Sequence, residues 1–337
     1  MRVKFYGQWV LSTGFRKLGR RLVHEKEKLG ERSSVQRWVS RKVLTLTQTL
    51  RPSMRGDHFY EHIPNAALIR PTYMERPRIV TTSWDDGDRA DLKLAEPLRS
   101  RGIRGTFYVP ITPYRGREAL DHAELKSLSS EGFEIGAHGF SHKLLRGLAA
   151  EQLAREVGPC RPVLEDIVGA EVRMFCYPCG RYDSNVVHAL KSAGYCGART
   201  QRMLATRLHF NPFEMPTTVQ IFPHPRSNYF RNLVRARKVE GLQVYLSQRR
   251  SLGNWVELGK RLFDSVLQNG GIWHLYGHSW EIEERELWDD LGKILDYVCK
   301  RKGVKYFSNY ELLRFLSAQA MHDGILQIAN REDNPRS

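Results

Sequence analysis

Residues 79–87 read IVTTSWDDG, a run of β-branched and aromatic residues that ends in two carboxylates and a glycine. Ile79–Trp84 is typical of a buried strand, because β-branched side chains fit the pleated surface of a sheet. Asp85 and Asp86 follow the strand directly, and Gly87 begins a turn. An Asx turn or the start of a helix uses the same residue types, so the aspartate pair alone leaves its role open.

Similar β-rich runs recur along the chain and alternate with helical patterns. Six further strands are predicted, at Gly105–Val109, Phe133–Ala137, Val172–Tyr177, Tyr195–Arg199, Thr217–Phe222 and Gly271–Tyr276. Helices are predicted at roughly 89–101, 121–131, 149–168, 184–193, 254–268 and 284–301, and residues 200–253 are predicted to be an irregular insertion. Because strands that alternate with helices pair in parallel through right-handed crossovers, this order predicts an α/β fold. We expect a distorted or incomplete (β/α) barrel of the TIM type with about seven parallel strands.

The composition excludes two classes of protein. Hydrophobic residues make up 41% and charged residues 27% of the 337 residues, which is typical of a globular protein rather than a disordered one. The chain contains no apolar run near the ~18 residues that a membrane-spanning helix needs. Its five cysteines stand at irregular spacings, which argues against a disulfide framework and favours a reducing compartment.

Positive charge is concentrated at the start of the chain. Of the formal net charge of +16, residues 1–78 carry +11. Residues 1–24 contain no acid, and their apolar residues recur at the spacing of one helical face. Such a basic amphipathic helix can bind an anionic membrane surface; a solvated arm or a helix packed on the main domain are the alternatives. We expect a cytoplasmic protein that can bind the membrane peripherally, although residues 1–24 also leave secretion or organelle import open.

Residues with metal-binding and acid–base chemistry follow the predicted strands, where barrels of this type gather their active-site residues. His138 and His142 follow the third strand, and with one carboxylate they form a donor set that suits Zn²⁺ or a similar divalent ion. Of Asp85 and Asp86, one can bind the metal while the other takes a proton from water. Gly139 favours a tight turn over a long helix between the two histidines.

Two further clusters follow the fourth and the last predicted strands. The loop Tyr177–Gly180 can present the backbone N–H of Cys179 as an oxyanion donor, and an ordinary Pro-Gly turn is the alternative. At the last strand, His278 lies nearer the barrel mouth than His274 and is the better general acid. His274 is expected to support the site or to be a core histidine.

These clusters together resemble the polysaccharide deacetylase family, also called the NodB-homology domain or carbohydrate esterase family 4. The resemblance covers roughly residues 76–318 and begins with the Asp-Asp-Gly motif at Ser83–Gly87. His138–His142 is similar to the family's His-Ser/Thr-x-x-His motif, and Leu275–His278 to its last motif with one extra residue. Cys176 stands where the Arg-x-Pro-x-Gly motif has its Arg, and the Asp-x-x-Asp-Trp motif has no convincing counterpart.

The resemblance implies roles for particular residues. Asp85 would be the base and His278 the acid, and the metal ligands would be Asp86, His138 and His142, with Zn expected and Co, Ni or Mn as alternatives. Arg199 or Arg181 would replace the missing Arg. Four residues are expected to contact substrate or support the site: Tyr177, Arg199, His274 and Trp280. The implied domains are a basic, partly helical extension over 1–75, the barrel over 76–318 and a C-terminal tail over 319–337.

The implied activity is hydrolysis of an N-acetyl or related N-acyl group on an amino sugar, in a glycan or a lipid-linked saccharide. Two rival functions remain open at this stage. The same barrel and metal could hydrolyse a non-sugar amide, or a catalytically weakened barrel could only bind a glycan. Nucleic-acid binding rests on the positive charge alone, and we do not expect it.

Overall fold

The structure, a computed structural model, describes residues 76–236 and 240–332. The predicted extension over 1–75, with its basic helix, lies outside the described residues. Among the described residues, no helix combines the length and the hydropathy that crossing a bilayer requires. The last helix runs from Asn309 to Glu332 and passes through residue 319, where the predicted tail begins.

Eight parallel strands form the sheet at the centre of the fold. They are β1 (Arg78–Asp85), β2 (Gly105–Val109), β3 (Glu134–Ala137), β4 (Met174–Cys176), β5 (Gly197–Arg199), β6 (Val219–Gln220), β7 (Gly271–Gly277) and β8 (Val304–Tyr306). Seven of them follow the order β5-β4-β3-β2-β1-β7-β6, and β8 pairs with the first residues of β1. All seven predicted strands and their parallel pairing are therefore confirmed, whereas β8 was not predicted.

The barrel is incomplete between β5 and β6. An irregular segment over residues 215–218 crosses this gap from β5 to β7. At one end the Met215 N–H donates to the carbonyl of Ala198 at 2.9 Å, and at the other the Thr218 N–H donates to the carbonyl of His274 at 2.9 Å. The expected distorted barrel is confirmed, and its distortion lies where an isolated bridge between Arg199 and Met215 and a few backbone hydrogen bonds replace a full strand pair.

Helices surround the sheet. They are α1 (Asp91–Arg99), α2 (His122–Ser130), α3 (Ala150–Val157), α4 (Cys160–Val168), α5 (Ser184–Ser192), α6 (Arg226–Ala236), α7 (Glu240–Ser247), α8 (Trp255–Asn269), α9 (Ser279–Glu284), α10 (Trp288–Val298) and α11 (Asn309–Glu332). The single helix predicted over 149–168 is wrong: the chain breaks at Gly158 and Pro159, because proline has no N–H for a continuous helix. The predicted irregular insertion over 200–253 is wrong in part, since it contains α6 and α7.

The alternation of side chains along β1 separates two cores. Val80 and Trp84 pack in the large cluster that the outer helices cover. Ile79 packs in a second cluster with Leu312 of α11. Because successive side chains of a strand point to opposite faces, the odd-numbered residues of β1 line the interior up to Asp85.

Candidate active site

The end of β1 presents both aspartates to the barrel mouth. Asp85 continues the interior-facing row of the strand and is fully buried. Asp86 adopts a left-handed backbone with φ 83°, which is uncommon for a non-glycine residue, and its N–H donates to the Tyr108 carbonyl at 3.0 Å. This break in the alternation brings a second carboxylate to the same side. Gly87 continues the turn at φ 60°, where a Cβ would lie 2.9 Å from Val109.

Asp86, His138 and His142 converge on one point. The Nε2 atoms of His138 and His142 lie 3.6 Å and 3.3 Å from Asp86 Oδ1. The histidines belong to a tight turn, with left-handed φ values of 84° at Gly139 and 55° at His142. His138 Nδ1 lies 2.8 Å from the Cys176 carbonyl, so Nδ1 carries the proton and Nε2 presents its lone pair.

The protonation states of Asp86 and His138 suit a cation. Burial raises the pKa of Asp86, but His142, His138 and His278 outweigh it and hold the pKa well below its usual range. Burial lowers the pKa of His138 to about 4, so its imidazole is neutral at neutral pH. Asp86 Oδ1 is buried without a hydrogen-bond partner in the described part of the chain. An orphaned carboxylate oxygen that faces two imidazole nitrogens fits a divalent metal.

A second group of potential ligands overlaps the first. Donor atoms of Asp85, His138 and Cys176 also lie within 4.8 Å of one another. Burial raises the pKa of the Cys176 thiol well above its usual range, so the thiolate that metals bind is disfavoured. Asp85 also forms an ion pair with Arg199. The set of Asp86, His138 and His142 is therefore the better metal site.

Asp85 forms a fully buried ion pair with Arg199 of β5. Arg199 Nη2 donates to Asp85 Oδ1, and neither side chain is exposed to solvent. The guanidinium lies between the rings of Tyr276 and Tyr108, 4.8 Å and 5.5 Å from their centroids. Burial raises the pKa of Asp85, but Arg199 and nearby histidines outweigh it and lower the pKa below its ordinary value. Arg181, the other candidate for this role, is exposed.

His278 follows β7 and faces both aspartates. Its Nε2 lies 3.9 Å from Asp85 Oδ2 and 3.9 Å from Asp86 Oδ2. Nδ1 lies 2.7 Å from Glu281 Oε2, one turn along α9. Burial favours the neutral ring, but Glu281 and the two aspartates outweigh it and raise the pKa of His278 to about 9. The site thus places a protonated imidazole beside an ionised carboxylate.

Part of this chain is similar to known proteins. The polysaccharide deacetylase family model matches residues 73–198, which contain the aspartate pair and both histidines of the metal set. Residues 73–198 are thus similar to the polysaccharide deacetylase family. YxkH of Bacillus subtilis (strain 168), which is named as a polysaccharide deacetylase, is 24% identical over 156 residues, 45% of this chain and 56% of that protein. The chain therefore spans little more than half the length of this curated relative.

A solved structure supports the fold of this chain. The crystal structure from Mycobacterium smegmatis that is named as a polysaccharide deacetylase has a TM-score of 0.50 with this chain. The two share 13% sequence identity, and the match covers 74% of this chain and 93% of that one. Identity this low shows a common fold and nothing finer.

Of the other residues predicted for the candidate site, some border it and others lie away from it. Trp280 borders the site, because its Nε1 donates to Asp86 Oδ2 at 2.9 Å. His274 lies deeper in the barrel, with Nε2 2.8 Å from Ser83 Oγ, and burial lowers its pKa to about 3. The structure does not bring Tyr177 to the site: its ring is fully buried and its hydroxyl donates to the Phe213 carbonyl at 3.0 Å. A side chain can be inaccessible even when its residue directly follows a strand.

Cys179 lies in the 3₁₀ turn Pro178–Gly180, which follows β4 as predicted. The residue is exposed and has a left-handed φ of 54°. The use of its backbone N–H as an oxyanion donor stays a prediction.

Glu281 and Tyr114 border the candidate site and were not predicted. Glu281 holds His278, and its position three residues later on a short helix is a signal that sequence inspection could have used. The ring of Tyr114 lies 4.3 Å from that of His142. Tyr114 belongs to the loop after β2, and no spacing in the sequence connects that loop with the histidines.

Proposed function

We propose that this chain is a metal-dependent hydrolase that removes an N-acetyl or related N-acyl group from an amino sugar. The observation that carries the proposal is the position of His278 Nε2, 3.9 Å from Asp85 Oδ2 and beside the three candidate metal ligands. Amide hydrolysis needs a base for the attacking water and an acid for the departing nitrogen. The lowered pKa of Asp85 and the raised pKa of His278 support these two roles.

Asp86, His138 and His142 would hold the metal ion, and Zn²⁺ is the ion we propose, with Co²⁺, Ni²⁺ and Mn²⁺ as alternatives. When bound, the ion would polarise the acyl group and stabilise negative charge on its oxygen. Trp280 contributes by fixing Asp86 Oδ2, which leaves Oδ1 directed at the two imidazoles. The backbone N–H of Cys179 is proposed as a second donor to the same acyl oxygen.

Asp85 would act as the general base. Its lowered pKa keeps it ionised at neutral pH. Arg199 holds Oδ1, which fixes the carboxylate plane and leaves Oδ2 on the side of His278. Oδ2 would accept a proton from the water as it attacks the acyl carbon.

His278 would act as the general acid. With a pKa raised to about 9, its ring carries two protons at neutral pH. Glu281 accepts a hydrogen bond from Nδ1–H of His278, which orients the ring so that Nε2 faces the reacting group. Nε2–H would then donate its proton to the amine nitrogen as the C–N bond breaks. Protonation is needed because an unprotonated amine is a poor leaving group.

We propose a glycan, either a polymer or a lipid-linked saccharide, as the substrate class. Acetate release from N-acetylated amino-sugar oligosaccharides, compared with ring opening of small cyclic amides, tests the assignment. Acetate release from the sugars with at least ~10²-fold lower rates on cyclic amides supports it. Hydrolysis of only the cyclic amides would contradict it. One bound metal with hydrolysis of neither substrate would favour a glycan-binding barrel instead.

A further inference from the structure

Cys176 occupies the position at which the sequence resemblance expects an arginine. Its side chain is fully buried, and Sγ lies 3.7 Å from Asp85 Oδ2. This distance is within the range of a hydrogen bond to sulfur. The residue that departs from the motif therefore contacts the same carboxylate that Arg199 binds.

The two residues that contact Asp85 stand side by side on neighbouring strands. In the parallel pairing of β4 with β5, Cys176 and Arg199 are direct Cα partners. Arg199 binds Oδ1 of Asp85, whereas Cys176 contacts Oδ2. Each oxygen of the carboxylate thus has its own neighbour, and the guanidinium comes from β5 rather than from β4.

The direction of the contact follows from the chemistry of the groups. A thiol has an ordinary pKa of about 8.5 and is protonated at neutral pH. Its S–H can donate to Asp85 Oδ2 or to the Tyr177 carbonyl, whose oxygen lies 3.8 Å from Sγ. The ionised carboxylate is the stronger acceptor, because charge-assisted hydrogen bonds exceed neutral ones.

We propose that Cys176 is a positioning residue whose thiol donates to Oδ2 of Asp85 and orients that oxygen toward the attacking water. The proposal rests on the proposed function, in which Oδ2 is the proton-accepting atom. Arg199 supplies the charge, and the thiol fixes the second oxygen. The competing role for Cys176 is that of a thiolate ligand in the overlapping group with Asp85 and His138.

The kinetic test compares Cys176→Ala with Cys160→Ala. Cys160 is a matched control, because its thiol is also buried but donates to a backbone carbonyl, that of Glu156, at 3.1 Å. We expect Cys176→Ala to lower kcat about three- to tenfold at unchanged KM and metal content, the effect of losing one weak hydrogen bond. Cys176→Ser, which retains a donor, restores most of kcat, and Cys160→Ala retains the parental kcat. A kcat for Cys176→Ala equal to that of Cys160→Ala, or loss of metal, overturns the proposal.

An infrared measurement tests the hydrogen bond without any substrate. Subtracting the spectrum of Cys176→Ala from that of the parent isolates the S–H stretching band of Cys176. The same subtraction in an Asp85→Asn background gives a band at higher wavenumber if the thiol donates to the carboxylate. An unmoved band, or no S–H band, overturns the proposal. If the parent hydrolyses no amino sugar, the proposed function fails, and this band still decides whether the thiol holds Asp85.

Discussion

Replacing Arg199 by methionine removes the positive partner of a carboxylate that has no access to solvent. Both side chains of the Arg199–Asp85 pair are 0% exposed. Breaking a buried pair by removing one partner costs about 3–5 kcal/mol, because an uncompensated charge stays in the interior. Domains are stable by roughly 5–15 kcal/mol, so Arg199→Met should lose a large fraction of the unfolding free energy. The midpoint of thermal unfolding should fall by on the order of 10 °C.

The unfolding free energy that Arg199→Met loses should become smaller as pH falls. In the parent, the pKa of Asp85 is lowered, so the stability that the pair provides is present above the ordinary carboxyl pKa and is lost as pH falls. Protonated Asp85 needs no partner. Without Arg199, burial favours the protonated form of Asp85, so Asp85 in Arg199→Met takes up its proton at a higher pH than in the parent. The difference in unfolding free energy between the parent and Arg199→Met should therefore be largest near pH 7 and narrow as pH falls, first because Asp85 of the variant becomes protonated and then, below the ordinary carboxyl pKa, because the parent loses its ion pair.

Urea unfolding of two comparison variants isolates the contribution of the buried ion pair to the free energy of unfolding. Asp85→Asn/Arg199→Met removes both charges and should recover much of the stability, since replacing a whole buried pair is often neutral. Arg261→Met breaks an exposed pair with Glu257, in which the side chains are 53% and 46% exposed, and should cost less than about 1 kcal/mol. The reasoning is refuted if Arg199→Met costs no more than Arg261→Met, or if the double variant is the least stable.

Four other outcomes are expected. Asp85→Asn should lower kcat by about 10²–10⁴-fold while the protein keeps its metal, and near-parental activity would remove Asp85 as the base. His138→Ala should lose the metal, and an unchanged metal content by elemental analysis would exclude this ligand. Glu281→Gln should lower the pKa of His278 from about 9, so the alkaline limb of the kcat/KM profile should move to lower pH; an unmoved limb would assign that limb to another group. Deletion of residues 1–75 should abolish binding to anionic vesicles and spare hydrolysis of a water-soluble substrate, and unchanged vesicle binding would place the contact elsewhere.

Local sequence signals predicted most of the architecture. The β-rich runs located seven strands, because a strand covered by helices on one side and interior side chains on the other is apolar over most of its length. The strand β8 was not predicted, because it is three residues long and none of them is fully buried. Pro159 did carry the signal for the break between α3 and α4. Helices α6 and α7 were not predicted because the whole stretch 200–253 is rich in Arg, Pro and aromatic residues, a composition that favours an irregular segment.

The sequence predicted those site residues that lie at the C-terminal ends of strands. Asp85, Asp86, His138 and His278 follow strands and meet at the barrel mouth, as the topology requires. The choice between Arg199 and Arg181 needed the register of two neighbouring strands, which no local pattern encodes. The Asp86 side chain reaches the barrel mouth because its backbone is left-handed, and no local sequence pattern predicts that conformation.

The most direct test of the central claim is a titration of metal-free protein with Zn²⁺ while acetate release from an N-acetylated amino-sugar oligosaccharide is measured. The site formed by Asp86, His138 and His142 predicts no activity without metal and a linear rise that ends at one bound ion per chain. Acetate release that is independent of added metal would contradict the account. So would binding of one ion with no release of acetate.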